Sequence, residues 1–154
     1  MRDLATVLAE LDAFEVLDRE HLEELAGCSR IVRYRAGERV FAEGDAARSC
    51  HVVRRGRIAL AIHGVQRGSD VIATYGAGQI VGWSWLFPPY RWQFDARATL
   101  DSSAIVMDAA CVRSKCDADP RFGYALVKRV AALALDRLQA TRLQLLDLYA
   151  GDGR

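Results

Sequence analysis

Nowhere in the 154-residue chain do about 18 apolar residues run together, which argues against a membrane-spanning helix. Charge of one sign is not in excess either. Lys and Arg number 21 against 20 Asp and Glu, so the chain lacks the basic field that draws nucleic acid. The opening residues, MRDLATVLAELDAF, hold acids within their apolar part and no small-residue cleavage site, so no secretory leader is read. No Ser-His-Asp signature, phosphate loop or paired-carboxylate motif occurs, and no enzymatic activity is expected. Cys111 and Cys116, in CVRSKC, do not form the Cys-x-x-Cys pair of zinc and redox sites, and Cys28 and Cys50 are distant. His21, His51 and His63 have no metal-ligand neighbour at short spacing and read as surface or ordinarily packed residues. The expectation is a soluble cytoplasmic protein with four free thiols and no metal or other cofactor.

What is present changes period twice. Over residues 3–26 the spacing is helical: Leu4, Val7, Leu8 and Leu11 share a face, and DREHLEELAGC repeats the pattern behind a candidate N-cap at Asp18. From residue 30, RIVRYRAGERVFAEGDAARSCHVVRRGRIALAIHG reads as short Val- and Ile-bearing strands cut by Gly37, Gly44, Gly56 and Gly64. DVIATYGAGQIVG adds strand, and ARATL and SAIVMDAA read as the last two. Turns at this spacing point to an antiparallel barrel or sandwich. Gly37, Gly44, Gly56 and Gly78 each end an apolar alternation and are expected at positive φ.

From Asp117 the helical period returns. Pro120 stands near the first turn, and between Arg121 and Ala150 there is one glycine and no proline, which suits a helix of up to about 30 residues or roughly 45 Å. Its apolar residues spread over about half the circumference, wider than one core contact needs. A helix serving both its own barrel and a twin helix has that pattern, so a homodimer is expected, carried by Leu126, Val130, Leu133, Leu138 and Leu145.

Helices, a glycine-cut barrel and one long helix, in that order, resemble the cyclic-nucleotide-binding domain of the catabolite-activator (cAMP receptor protein) family of bacterial regulators. The residues that carry the likeness are Tyr34, Ala36-Gly37-Glu38, Phe41, Gly44-Asp45 and Val52-Val53 before Gly56, together with YGAGQIVG. The resemblance implies a mainly β fold, a β-roll of jelly-roll type with flanking helices and a long C-terminal dimerisation helix. It gives a single domain over 1–154, with N-terminal helices in 1–28, the β-roll in 30–109 and the helix in 117–150. Full-length regulators of the family continue into a helix-turn-helix. This chain ends at Arg154, so direct DNA binding is not expected.

The stretch GQIVGWSWLFPPYRWQFDARA, residues 78–98, holds all three tryptophans and is where the family's phosphate-binding cassette belongs. In the family a Gly-Glu-x-x-Leu run supplies a carboxylate to the ribose hydroxyl, and an Arg before an Ala-Thr-Val strand pairs with the phosphate. Here Gly82 is followed by Trp83 where the Glu would be. Matching Ala98-Thr99-Leu100 to the strand puts Ala96 at the arginine position. Strand alternation with Ala96, Ala98 and Leu100 inward turns Arg97 and Thr99 outward. Arg91 on the loop, or Arg97, is the substitute cation if there is one.

The candidate pocket residues are thus Gly78, Gly82, Trp83, Ser84, Trp85, Leu86, Arg91, Trp92, Arg97, Ala98 and Thr99. Their aromatic rings admit three readings: a plug filling the emptied barrel, a pocket remade for an apolar or aromatic ligand, or an exposed patch for a protein partner. The functional expectation is a non-enzymatic regulatory module with a degenerate cassette, acting through a protein partner. The alternative is a true receptor for cAMP or cGMP that uses a substitute arginine.

Overall fold

The computed structural model describes residues 3–64 and 68–152. The chain ends at 1–2 and 153–154, residues 65–67 and the side chains of His63, Ser69, Asp70 and Asp152 lie outside the described residues. Helix α1 (Leu4–Ala9) is capped by Asp3, whose carboxylate accepts from Thr6 N at 2.8 Å. A 3-10 turn (Asp12–Phe14) separates it from α2 (Arg19–Ala26). Asp18 does stand at the α2 N-cap, but its side chain makes no capping bond. Leu8, Phe14 and Leu25 from these elements enter the core.

Among the described residues seven antiparallel strands follow: β1 (Ser29–Tyr34), β2 (Arg39–Phe41), β3 (Ser49–Arg55), β4 (Ile58–Gly64), β5 (Gly68–Tyr75), β6 (Asp95–Ala98) and β7 (Ser102–Asp108). They form two sheets, ordered β1-β7-β3 and β2-β6-β4-β5. Strands β3 and β7 bury consecutive residues, with Val52, Val53, Ala104 and Ile105 sealed. Both faces of these two strands are therefore covered, while β1 at the sheet edge stays largely exposed. The four expected turn glycines all have positive φ. Gly56 is the most demanding: φ is 93°, and a Cβ there would collide with the Ser102 hydroxyl and sit 2.7 Å from Asp101 O.

Strand β6 corrects one expectation. Leu100 is 49% exposed rather than in the core, because the strand ends at Ala98 and the chain turns. Thr99 N binds Arg57 O, and the Asp101 carboxylate receives Ala36 N. Ala96 and Ala98 do face inward, and Arg97 faces out.

The β-roll closes at Asp108, which caps an unanticipated helix, α3 (Ala109–Ala118), by accepting from Cys111 N at 2.8 Å. Helix α4 (Pro120–Asp152) has 33 residues, about 50 Å at 1.5 Å each. Its wide apolar circumference is shared out along its length. Phe122, Leu126 and Val130 are sealed in the core at 0–2% exposure, and Leu133 packs against it. The Arg129 guanidinium clamps this half by donating to Ala13 O and Asp12 O, each at 2.7 Å. Farther on, Leu138 and Leu145 are exposed, with Leu143, Leu148 and Tyr149. Leu126 and Val130, expected on a dimer face, instead belong to the domain's own core.

The expectation of four thiols is also corrected. Cys28 and Cys111 form a disulfide, 83 residues apart in sequence. The cause is tertiary: Asp108 N binds Cys28 O at 2.9 Å, which lays the end of α2 beside the β7–α3 junction. Cys50 and Cys116 remain free. Burial raises the pKa of the Cys50 thiol far above its ordinary value. None of the helices among the described residues is long and apolar enough to cross a membrane.

Candidate ligand cleft

The cassette is pinned before it turns. Gly78 N donates to Val53 O, Val53 N to Gln79 O and Val81 N to His51 O, so residues 78–81 run along β3. Gly78 itself, at φ 85°, abuts Asp12 of the 3-10 turn. At Gly82 the chain turns with φ 83°, and a Cβ there would stand 3.0 Å from the Trp92 ring. Glycine lets the cassette approach Trp92 that closely.

The three tryptophans take three different places. Trp85 is buried in the core, with its indole Nε1 donating to Gly82 O at 3.1 Å and its own carbonyl receiving Arg113 Nη1. Trp92 is buried too, stacked on Phe41 with ring centroids 3.7 Å apart and planes within 4°. Its backbone is tied to the β2–β3 loop through Gly44 N to Trp92 O and Trp92 N to Asp45 O. Trp83 is half-buried, as is Phe94. His51 lies close to the stacked pair, 5.6 Å from Phe41 and 6.1 Å from Trp92 between ring centroids. Burial first, then the positive charge of Arg30, lowers its pKa to about 4, so it is neutral near pH 7. Its Nδ1 has no hydrogen-bond partner among the described residues.

A cleft of about 800 Å³ opens between this region, β4–β5 and α4. Phe41 and Trp92 line it, as do Trp83, Phe94 and Tyr75. Gly82 and Ser84 contribute the cassette's small side, and Ala134, Arg137, Leu138 and Thr141 form the helix wall. The volume lies in the range of small-molecule sites, and the lining has their usual mix of aromatic surface and a few polar groups.

Of the expected pocket residues, Gly82, Trp83, Ser84 and Trp92 meet at the cleft. The others do not line it. Leu86 N closes the cassette turn on Trp83 O, and Ala98 is buried within β6. Thr99 N and its hydroxyl both turn to Arg57 O. The two arginines are spent elsewhere. Arg91 is exposed and donates to Gly44 O at 3.0 Å, beside a separate hollow it shares with Arg48 and Arg113. Arg97 is exposed and donates to Gly37 O at 3.0 Å.

The cation that lines the cleft is one the sequence reasoning missed. Arg137 of α4 sets its guanidinium over the Tyr75 ring, with Cζ 4.3 Å from the centroid, and Nη2 donates to Thr74 O at 3.2 Å. A signal existed: Ala134, Arg137, Leu138 and Thr141 follow i, i+3, i+4, i+7 spacing, a polar break in an apolar helix face. Among the described residues no group of three His, Cys, Asp or Glu stands ready to hold a metal ion.

Comparison with known proteins bears on this geometry. Residues 31–119 match the family described as cyclic nucleotide-binding domain. A protein from Geobacter metallireducens GS-15, named for cyclic-nucleotide binding, is 25% identical with a TM-score of 0.79, covering 90% of this chain and 99% of its own. The N-terminal domain of a transcriptional regulator from Streptomyces coelicolor A3(2) is 24% identical at a TM-score of 0.69, covering 90% of this chain and 94% of its own. The catabolite activator protein of Thermus thermophilus shares the fold at 20% identity and a TM-score of 0.69, covering 89% of this chain and 62% of its own. No curated protein matches at a significant level.

Proposed function

The chain belongs to the cyclic nucleotide-binding domain family, and we propose that it is a non-enzymatic, ligand-sensing regulatory module with a rebuilt cassette that acts through a protein partner. One observation carries this reading. The cleft is open, yet the two cassette arginines lie outside it, each bound to a backbone carbonyl. A cyclic phosphate seated on the cassette in the family's way would meet neither Arg91 nor Arg97 as its pairing cation. Removing one partner of a buried pair costs about 3–5 kcal/mol, or about two to four decades of affinity. The half-buried Trp83 and Phe94 favour an apolar or aromatic occupant.

The partner includes a second copy of the chain. Leu138 and Leu145 sit on the exposed half of α4, on a helix whose other half is fixed to the domain. Light scattering at micromolar concentration should give twice the 17.1 kDa chain mass, and the monomer mass would refute this.

The ligand test uses intrinsic fluorescence, since all three tryptophans lie within 83–92. Titration with cAMP and cGMP should give no saturable change at micromolar levels, with calorimetry as the check on a silent mode. Micromolar binding abolished by Arg91→Ala or Arg97→Ala would overturn the reading and establish a nucleotide receptor with a substitute arginine.

A further inference from the structure

We propose that the cleft takes a planar aromatic monoanion, a ring system bearing one carboxylate or sulfonate, and that Arg137 on α4 holds its anionic group. The inference rests on the ligand-sensing reading and names the ligand class. Three features of the cleft combine. First, its flat surfaces are aromatic: Trp83 and Phe94 line it, half-buried, and Tyr75 lies under the Arg137 guanidinium. Rings of this kind pair with another ring face or edge.

Second, its lining contains one cation and, among the described residues, no carboxylate. Among the described residues Arg137 makes no ion pair there. A guanidinium carries five N–H donors in one plane, and Thr74 O takes one of them. The remaining fork suits two oxygens of one anionic group. Stacking on Tyr75 holds the plane of the guanidinium, which lowers the ordering cost of that contact.

Third, the same lining argues against a nucleotide. It holds no carboxylate to accept a ribose hydroxyl, and Arg91 and Arg97 are engaged outside the cleft. A compact aromatic anion asks for neither contact. Its charge would rest on the helix whose next turns, from Leu138 to Leu145, carry the exposed apolar face. Occupancy of the cleft would thus bear directly on α4.

The test compares two probes that differ by a single sulfonate group. They are 8-anilinonaphthalene-1-sulfonate and its uncharged parent N-phenyl-1-naphthylamine, read by emission excited through tryptophan. The expected result is one site per chain that prefers the sulfonate by about 10- to 100-fold, the range of a hydrogen bond to a charged group. Arg137→Gln should erase the preference while leaving the neutral probe bound, which also reports that the variant is folded. Arg137→Lys should keep part of it, and Arg91→Gln should leave it unchanged. Equal binding of the two probes, or a preference that survives Arg137→Gln, overturns the inference while leaving the ligand-sensing reading standing. Failure of both probes to bind overturns the two together.

Discussion

Opening the Cys28–Cys111 disulfide should cost this protein a large part of its stability. The bond joins residues 83 apart, so it spans the whole β-roll and ties the end of α2 to α3. In the chain-entropy account, closing a loop of that length removes about 15 cal/mol/K from the unfolded ensemble, or about 4.5 kcal/mol at 25 °C. Serine substitution takes little else away, since the neighbouring Asp108 N to Cys28 O bond is between backbone groups. With a urea slope of about 2 kcal/mol/M, the midpoint should fall by about 2 M.

Two assays check this. In denaturant without reductant, thiol titration should count two reactive cysteines, Cys50 and Cys116, and four after reduction. Equilibrium urea unfolding of the oxidised protein, the reduced protein and the Cys28→Ser/Cys111→Ser variant should place the last two together and below the first. Four reactive thiols before reduction would refute the pairing. A confirmed disulfide with unchanged midpoints would refute the loop-entropy reasoning.

Gly56→Ala should destabilise by at least about 2 kcal/mol, since it adds a Cβ to a left-handed residue and drives it into Ser102; a urea midpoint equal to wild type would contradict this. His51 makes stability depend on pH. Its folded pKa of about 4 lies below the ordinary 6.5, so the native state resists protonation. Its contribution is whole above pH 6.5 and is lost as pH falls toward 4, by about 3 kcal/mol at most. His51→Gln should flatten that part of the stability–pH curve, and parallel curves for the two proteins would show that His51 does not titrate as described.

Much of the fold was legible in the residues. The switch from period 3.6 to short glycine-cut strands and back marks the N-terminal helices, the β-roll and α4, because period and turn chemistry belong to contiguous residues. Gly56 and Gly78 announce positive φ for the same local reason. Helix α3 was not legible, since Ala109 and Val112 are its only fully buried residues and leave too faint a pattern. At the cleft, the outward face of Arg97 could be read from strand alternation, and the missing acid after Gly82 from the motif of the family the chain resembles.

The destinations of the aromatic side chains could not be read that way. Trp83, Trp85 and Trp92 lie within ten residues, yet one lines the cleft, one enters the core and one does both by stacking on Phe41. Local pattern was enough to mark the N-terminal helices, the strands, α4 and the glycine turns, but not α3. Packing between distant elements settled that Cys28 meets Cys111, that Leu126 and Val130 go inward while Leu138 and Leu145 stay out, and that Arg137 reaches the cleft. The physical reason is that periodicity orients a side chain relative to its own element. What that side chain meets is set by how elements distant in sequence pack to bury their apolar faces.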